Sequence, residues 1–156
     1  MIPSALKATA HIRGLPSPPQ YKLDYYEAMD LFNWSPEHKN RKLSHVSRIV
    51  LPPLHLGQYL LCFNKSKAPC GFISWAYLSE SVAKKFANGK YTLQRTDWSS
   101  GSELWIIHFI CRERKKIKTM IQLVREKLGS DEAYFIRHGQ PGWVRGRNGR
   151  RVTKYV

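Results

Sequence analysis

A chain of 156 residues can hold one domain with a sizeable core, and its 42% hydrophobic and 12% aromatic content excludes a disordered tail or linker. No apolar run approaches the roughly 20 residues that cross a bilayer, and the opening "MIPSALKATAHIRGLPSPPQ" lacks the basic-then-apolar order of a secretory leader, so a cytoplasmic protein is expected. The formal charge of +15 is uneven, with 13 Lys/Arg against 4 Asp/Glu in residues 112–156; such a field attracts an acidic partner without choosing among nucleic acid, anionic lipid and protein.

Residues 1–23, with "GLPSPPQ", predict an irregular arm, and residues 24–156 a single domain with a basic final part, 112–156. Tyr25, Ala28, Met29 and Phe32 then repeat at the spacing of a helix face, with Asp24 and Glu27 spaced as a capping box. Leu43, Val46 and Ile49 or Val50 predict a second helix, ended or kinked by "LPP" at 51–53. "QYLLCFN" and "CGFISWA" read as a hairpin around the turn "KSKAP". "LSESVAKKFAN" predicts a helix stopped by "NG", "KYTLQR" a strand, and "TDWSSGS" a turn. "ELWIIHFIC" is apolar on both faces, hence central. A helix follows with Ile117, Ile121, Val124 and Leu128 on one stripe; then come the strand "EAYFIRH" and an "NG" turn before a last short strand. This order predicts an α/β (α+β) domain with a mostly antiparallel sheet flanked by helices.

The stretch "WSPEHKNRKL" carries the first chemical signal. Ser35 suits an N-cap and Pro36 the first helical position. That puts His38 in an opening turn, where unpaired N–H groups and the helix dipole disfavour a positive charge. Such a histidine can accept a proton; the plain alternative is a surface histidine. Asp97, in the turn before the central strand, can project a carboxylate into a cleft or simply close its own turn. A carboxylate on one nitrogen of His38 would fix its tautomer and raise its basicity. Cys62, Cys70 and Cys111 are too few and scattered for a disulfide framework or zinc site, and lie in apolar strand runs that predict buried, reduced thiols. No metal-ligand spacing and no phosphate-binding glycine loop is present in the sequence. His108 alternates within the central strand as a core or cleft-lining residue. The Arg-, Gly- and Trp-containing "GWVRGRNGRR" suits RNA or an acidic protein.

The segment "SPEHKNRKLSHVSRIVLPPLHLGQYLLC" resembles the Ser-Pro-x-His region, with downstream Leu-Pro and Gln-Tyr, of the lysine acyltransferases that activate repeats-in-toxin (RTX) haemolysins. "PCGFISWAYLSE" is similar to that family's Ser-Trp-Ala-x-Leu-Ser segment, and "DWSSGSELWIIHFI" to its Asp-Trp-x-Ser-Gly-x-x-x-Trp block. Where the family usually continues Ala-Pro-Phe-Gly, this chain reads "CRERKK". The resemblance implies a fold like that of Gcn5-related N-acetyltransferases. It also implies transfer of a fatty acyl chain from acyl carrier protein to internal lysines of an RTX protoxin, with no bound cofactor or metal. It puts His38 and Asp97 on the catalytic histidine and aspartate and Ser35 on a supporting serine, and it suggests a homodimer. Trp75, Tyr77, Trp98 and Trp105 are candidates to line an acyl groove, or plain core. The competing readings are a basic nucleic-acid-binding module and a small-molecule N-acyltransferase using acyl-CoA; neither a membrane span nor nucleic acid belongs to the main one.

Overall fold

The computed structural model describes residues 7–9, 18–129, 133–136 and 144–145. The chain forms β1 (Lys7–Thr9), α1 (Pro18–Trp34), α2 (Leu43–Leu56), β2 (Tyr59–Phe63), β3 (Pro69–Leu78) and α3 (Glu80–Ala87). A short 3-10 turn (Arg95–Trp98) leads into β4 (Glu103–Cys111), and another (Arg114–Lys116) into α4 (Ile117–Leu128). β5 (Tyr134–Ile136) and β6 (Val144–Arg145) complete the α/β order. The strands are hydrogen-bonded in the order β1-β2-β3-β4-β5-β6. β1–β2, β2–β3 and β5–β6 pair antiparallel, and β4–β5 pair parallel.

Several boundaries differ from the sequence expectation, each for a local reason. The arm predicted for residues 1–23 contains β1 and the start of α1. Pro18 and Pro19 occupy the helix's first turn, where a missing N–H breaks no intrahelical bond. Asp24 is therefore inside the helix rather than capping it. The "LPP" of 51–53 does not end α2, which runs on to Leu56 and stops at Gly57 in the left-handed region (φ 68°), whose N–H donates to Leu54 O. "KYTLQR" is not a strand: the Gln94 backbone N–H donates to the Asp97 carboxylate, closing a local turn in place of a ladder bond. In α4 the buried residues are Met120 and Leu123, not the stripe beginning at Ile117 and Ile121. The final "NG" turn and the strand after it lie outside the described residues.

The chain groups into two compact units: Met1–Ser74 with His108–Gly129, and Trp75–Ile107 with Ser130–Val156. The core of the first joins Ala28, Leu31 and Phe32 of α1, Val46, Ile49, Val50 and Leu54 of α2, and Tyr59, Leu61, Phe72 and Ile110 of the sheet. Side chains alternate across a strand, and the pairs Leu61↔Phe72 and Tyr59↔Ser74 put these positions on one face. The opposite face carries Gly71, where an added Cβ would strike the Met120 side chain of α4. An alanine there would have to displace the flexible end of Met120, so the small residue lets the helix side chain lie directly on the strand. The second unit buries Ala76, Leu78, Val82, Ala83, Ala87, Leu93, Trp98 and Trp105.

Candidate functional site

The site grows from the end of α1. Ser35 N–H still donates to Leu31 O, continuing the helix by one bond, and Ser35 O accepts from both His38 and Lys39 N–H. Residues 35–40 therefore form a tight turn rather than the start of a new helix, correcting the N-cap expectation. The buried Ser35 hydroxyl is 2.9 Å from His38 Nδ1. A hydroxyl at Nδ1 orients the ring and assigns proton exchange to the other nitrogen, Nε2.

The turn rests on aromatic rings. Phe32, one helical turn before Ser35, meets His38 edge to face at 4.7 Å between centroids. Phe32 also meets Phe72 at 5.6 Å and His108 at 5.1 Å. Pairs of this geometry contribute about 0.5–1.5 kcal/mol each beyond area burial. His108 lies 5.8 Å from His38, ring to ring, and its Nδ1 is 2.7 Å from Ser74 Oγ. Both Ser74 and His108 are buried. Two serine–histidine pairs thus meet, with the His38, His108 and Phe32 rings in mutual contact.

Their electrostatics differ. Burial, joined by the charges of His38, Arg41 and His45, pushes His108 down to about 3, so it is an uncharged ring at neutral pH. His38 is half-buried at the edge of the cluster. His45 is held below its ordinary value by burial and then by Arg41 and Arg48; Arg41 Nη1 reaches its Nε2 at 2.8 Å. Deeper in the same unit the Tyr59 hydroxyl donates to the buried Asp24 carboxylate. Burial and that bond hold Tyr59 above the usual phenol range.

Asp97 stands in the second unit, and its environment differs from the expected projecting carboxylate. It is buried, and its Oδ2 accepts from the Tyr91 hydroxyl and the Gln94 N–H, both at 2.7 Å. Gln94 and Asp97 form a capping box on the 3-10 turn. The groove candidates also belong to this unit. Trp98 and Trp105 are fully buried core, Trp75 is buried and Tyr77 half-buried. Trp105 packs on Phe86 and Tyr134 and donates to Glu103 at 3.3 Å. The burial of Trp98 and Trp105 favours the core alternative for both.

The thiols are poor nucleophiles: burial pushes Cys62 up to about 12 and raises Cys70 and Cys111. Among the described residues no group of three or more His, Cys, Asp or Glu is placed to hold a metal ion, and no helix is long and apolar enough to cross a membrane.

The Ser74–His108 pair is the feature that residue-by-residue reading underweights. Its signal is a pair of polar residues in otherwise apolar strand runs, "CGFISWA" and "ELWIIHFIC".

Comparison with known proteins adds the family. The chain is 34% identical over 93 residues to a leukotoxin-activating lysine-acyltransferase of Aggregatibacter actinomycetemcomitans, covering 57% of this chain and 55% of that protein. It is 31% identical over 121 residues to an RTX-III toxin-activating lysine-acyltransferase of Actinobacillus pleuropneumoniae, covering 70% and 69%. It is also 36% identical over 76 residues to a protein-lysine myristoyltransferase of Escherichia coli, covering 49% and 43%. Most of these matches thus span about half the length of the relative. A solved acetyltransferase of the GNAT family from Listeria monocytogenes matches with a TM-score of 0.48 at 11% identity, over 86% of this chain and 78% of that one. The family model of the RTX toxin acyltransferases matches residues 26–155, and the chain belongs to that family.

Proposed function

We propose that this chain is a protein-lysine acyltransferase that moves a fatty acyl group from acyl carrier protein to internal lysine side chains of an RTX protoxin. The observation that carries the reading is the oriented imidazole of His38, held by Ser35 at 2.9 Å in a chain of this family. The activities named for the relatives, toxin-activating lysine acylation and lysine myristoylation, support the reaction class.

A lysine amine has an ordinary pKa near 10.4, so about one in 2,500 is unprotonated at pH 7. A positioned base that takes the proton contributes about 10²–10⁴-fold. The ammonium's first proton leaves to solvent, and His38 Nε2 takes the second as the amine nitrogen attacks the thioester carbonyl. The C–N bond forms, the C–S bond breaks, and the proton passes to the departing thiolate. Exposed Lys39, Arg41, Lys42 and Arg48 surround the His38 turn with positive charge, which suits an acidic donor carrier and an acidic protoxin.

We assign Asp97 to the closure of its turn. As a cap, Asp97→Asn lowers stability and leaves the acid limb of the pH–rate profile in place. As the carboxylate supporting His38, it would move that limb. Supplying a protoxin with the same fatty acid as the carrier-protein thioester or as the coenzyme A thioester tests the donor. The proposal expects acylated lysines from the carrier-bound form; transfer from coenzyme A alone, equally to free lysine, would overturn it in favour of a small-molecule enzyme.

A further inference from the structure

Histidine 108 has no part in the chemistry above, yet its surroundings are built. Its ring is 8% exposed, locked by Ser74 at 2.7 Å, and enclosed by Phe32 of α1, Phe72 of β3 and His38 of the turn. A histidine that only filled space could be replaced by an apolar ring with no buried polar atom to satisfy, since a buried polar group costs free energy unless it is bonded. A polar ring supplied with its own hydroxyl beside another imidazole points to a task for the polarity.

We infer that the Ser74–His108 pair is a positioning device for His38, a locked polar ring against which the base's imidazole rests. The inference rests on the reading of His38 as the base. The pair sets which histidine takes the proton. Two imidazoles 5.8 Å apart disfavour double protonation, and the buried member is the one that stays uncharged. His38, half-buried at the edge, takes the proton and meets a dipole rather than a second cation. Arg41, just after the turn, and His45 of α2 also act on His108, both repelling a proton there. Tyr59 stacks on Phe72 at 6.3 Å with its hydroxyl committed to Asp24, so that carboxylate is held by Tyr59.

The test is a nuclear magnetic resonance titration of the His38 imidazole in the full chain, assigned by the signal lost in His38→Gln. With His108→Phe a somewhat larger aromatic ring stays and the polarity goes, and the His38 pKa is expected to fall by about half a unit or more. With His108→Asn, which keeps a polar group for Ser74, it is expected to stay within about 0.2 unit. An unchanged or raised His38 pKa in His108→Phe, or an equal fall in both variants, overturns the inference. Should His108→Phe fail to fold, Ser74→Ala carries the test: a smaller fall supports the device and no change overturns it. Undiminished acyl transfer by His38→Ala would remove the base assignment but leave this titration result standing, so the two failures are distinguishable.

Discussion

His38 owes its place to three neighbours within six residues: Phe32 below it, Ser35 beside it and the backbone turn that Ser35 O gathers. Replacing it by Ala is expected to lower acyl transfer to protoxin by about 10²–10⁴-fold while the protein stays folded. Ser35→Ala, which frees the ring without removing it, is expected to cost less, about tenfold. His108 makes a separate prediction on stability. Its folded pKa is depressed to about 3 from an unfolded value near 6.5. Below pH 6.5 the unfolded chain therefore binds a proton that the folded one refuses, and stability is lost as pH falls toward 3. The full effect is on the order of 5 kcal/mol. Urea unfolding at pH 7 and pH 4 checks it: the loss should be smaller in His108→Asn than in the parent. The Ser-Pro-x-His segment made His38 legible in the sequence because its contacts to Ser35 and Phe32 are local. The Ser74–His108 bond spans 34 positions and appears only once strand order is known.

At the scale of elements, periodicity located the helices and strands, and local chemistry decided their ends. Ser79, expected only as part of a helical stretch, caps α3 by accepting from Val82 N–H at 3.4 Å. The hairpin turn closes on Asn64, whose Oδ1 accepts from Ser66 and Ala68 N–H, both at 3.0 Å. Of the two outcomes expected of Pro52 and Pro53, ending the helix does not occur: in α2 they lie in the last turns, and the stop is Gly57. Gly57→Ala places a Cβ at φ 68° and is expected to cost about 1–2 kcal/mol in denaturant unfolding. Tyr59→Phe removes the hydroxyl bonded to Asp24, which ties β2 to α1. A hydrogen bond to a charged group contributes about 1.5–3 kcal/mol, and a loss of that size is expected in the same measurement. The misplaced α4 stripe has a packing cause: Gly71 opens a slot on the sheet that Met120 fills, turning the helix face by about one residue.

For the molecule as a whole, charge and family membership bear on function more than architecture does. The +15 charge could not choose a partner class, whereas the motifs between residues 34 and 110 pointed to one family, and the family model matches residues 26–155. The division into two units was not legible, because β3 and β4 each read as one uninterrupted apolar run while contributing residues to both. Reversing the charge of Lys39, Arg41 and Lys42 to Glu is expected to lower kcat/KM for the carrier-bound donor severalfold and to flatten its salt dependence. The most direct measurement is intact-mass and peptide mass spectrometry of an RTX protoxin incubated with acyl carrier protein loaded with a fatty acid and this chain. Addition of one acyl mass to internal lysines, lost with folded His38→Ala, is the expected result. An unmodified protoxin in the presence of the folded parent chain, or acylation undiminished by His38→Ala, would contradict the assignment.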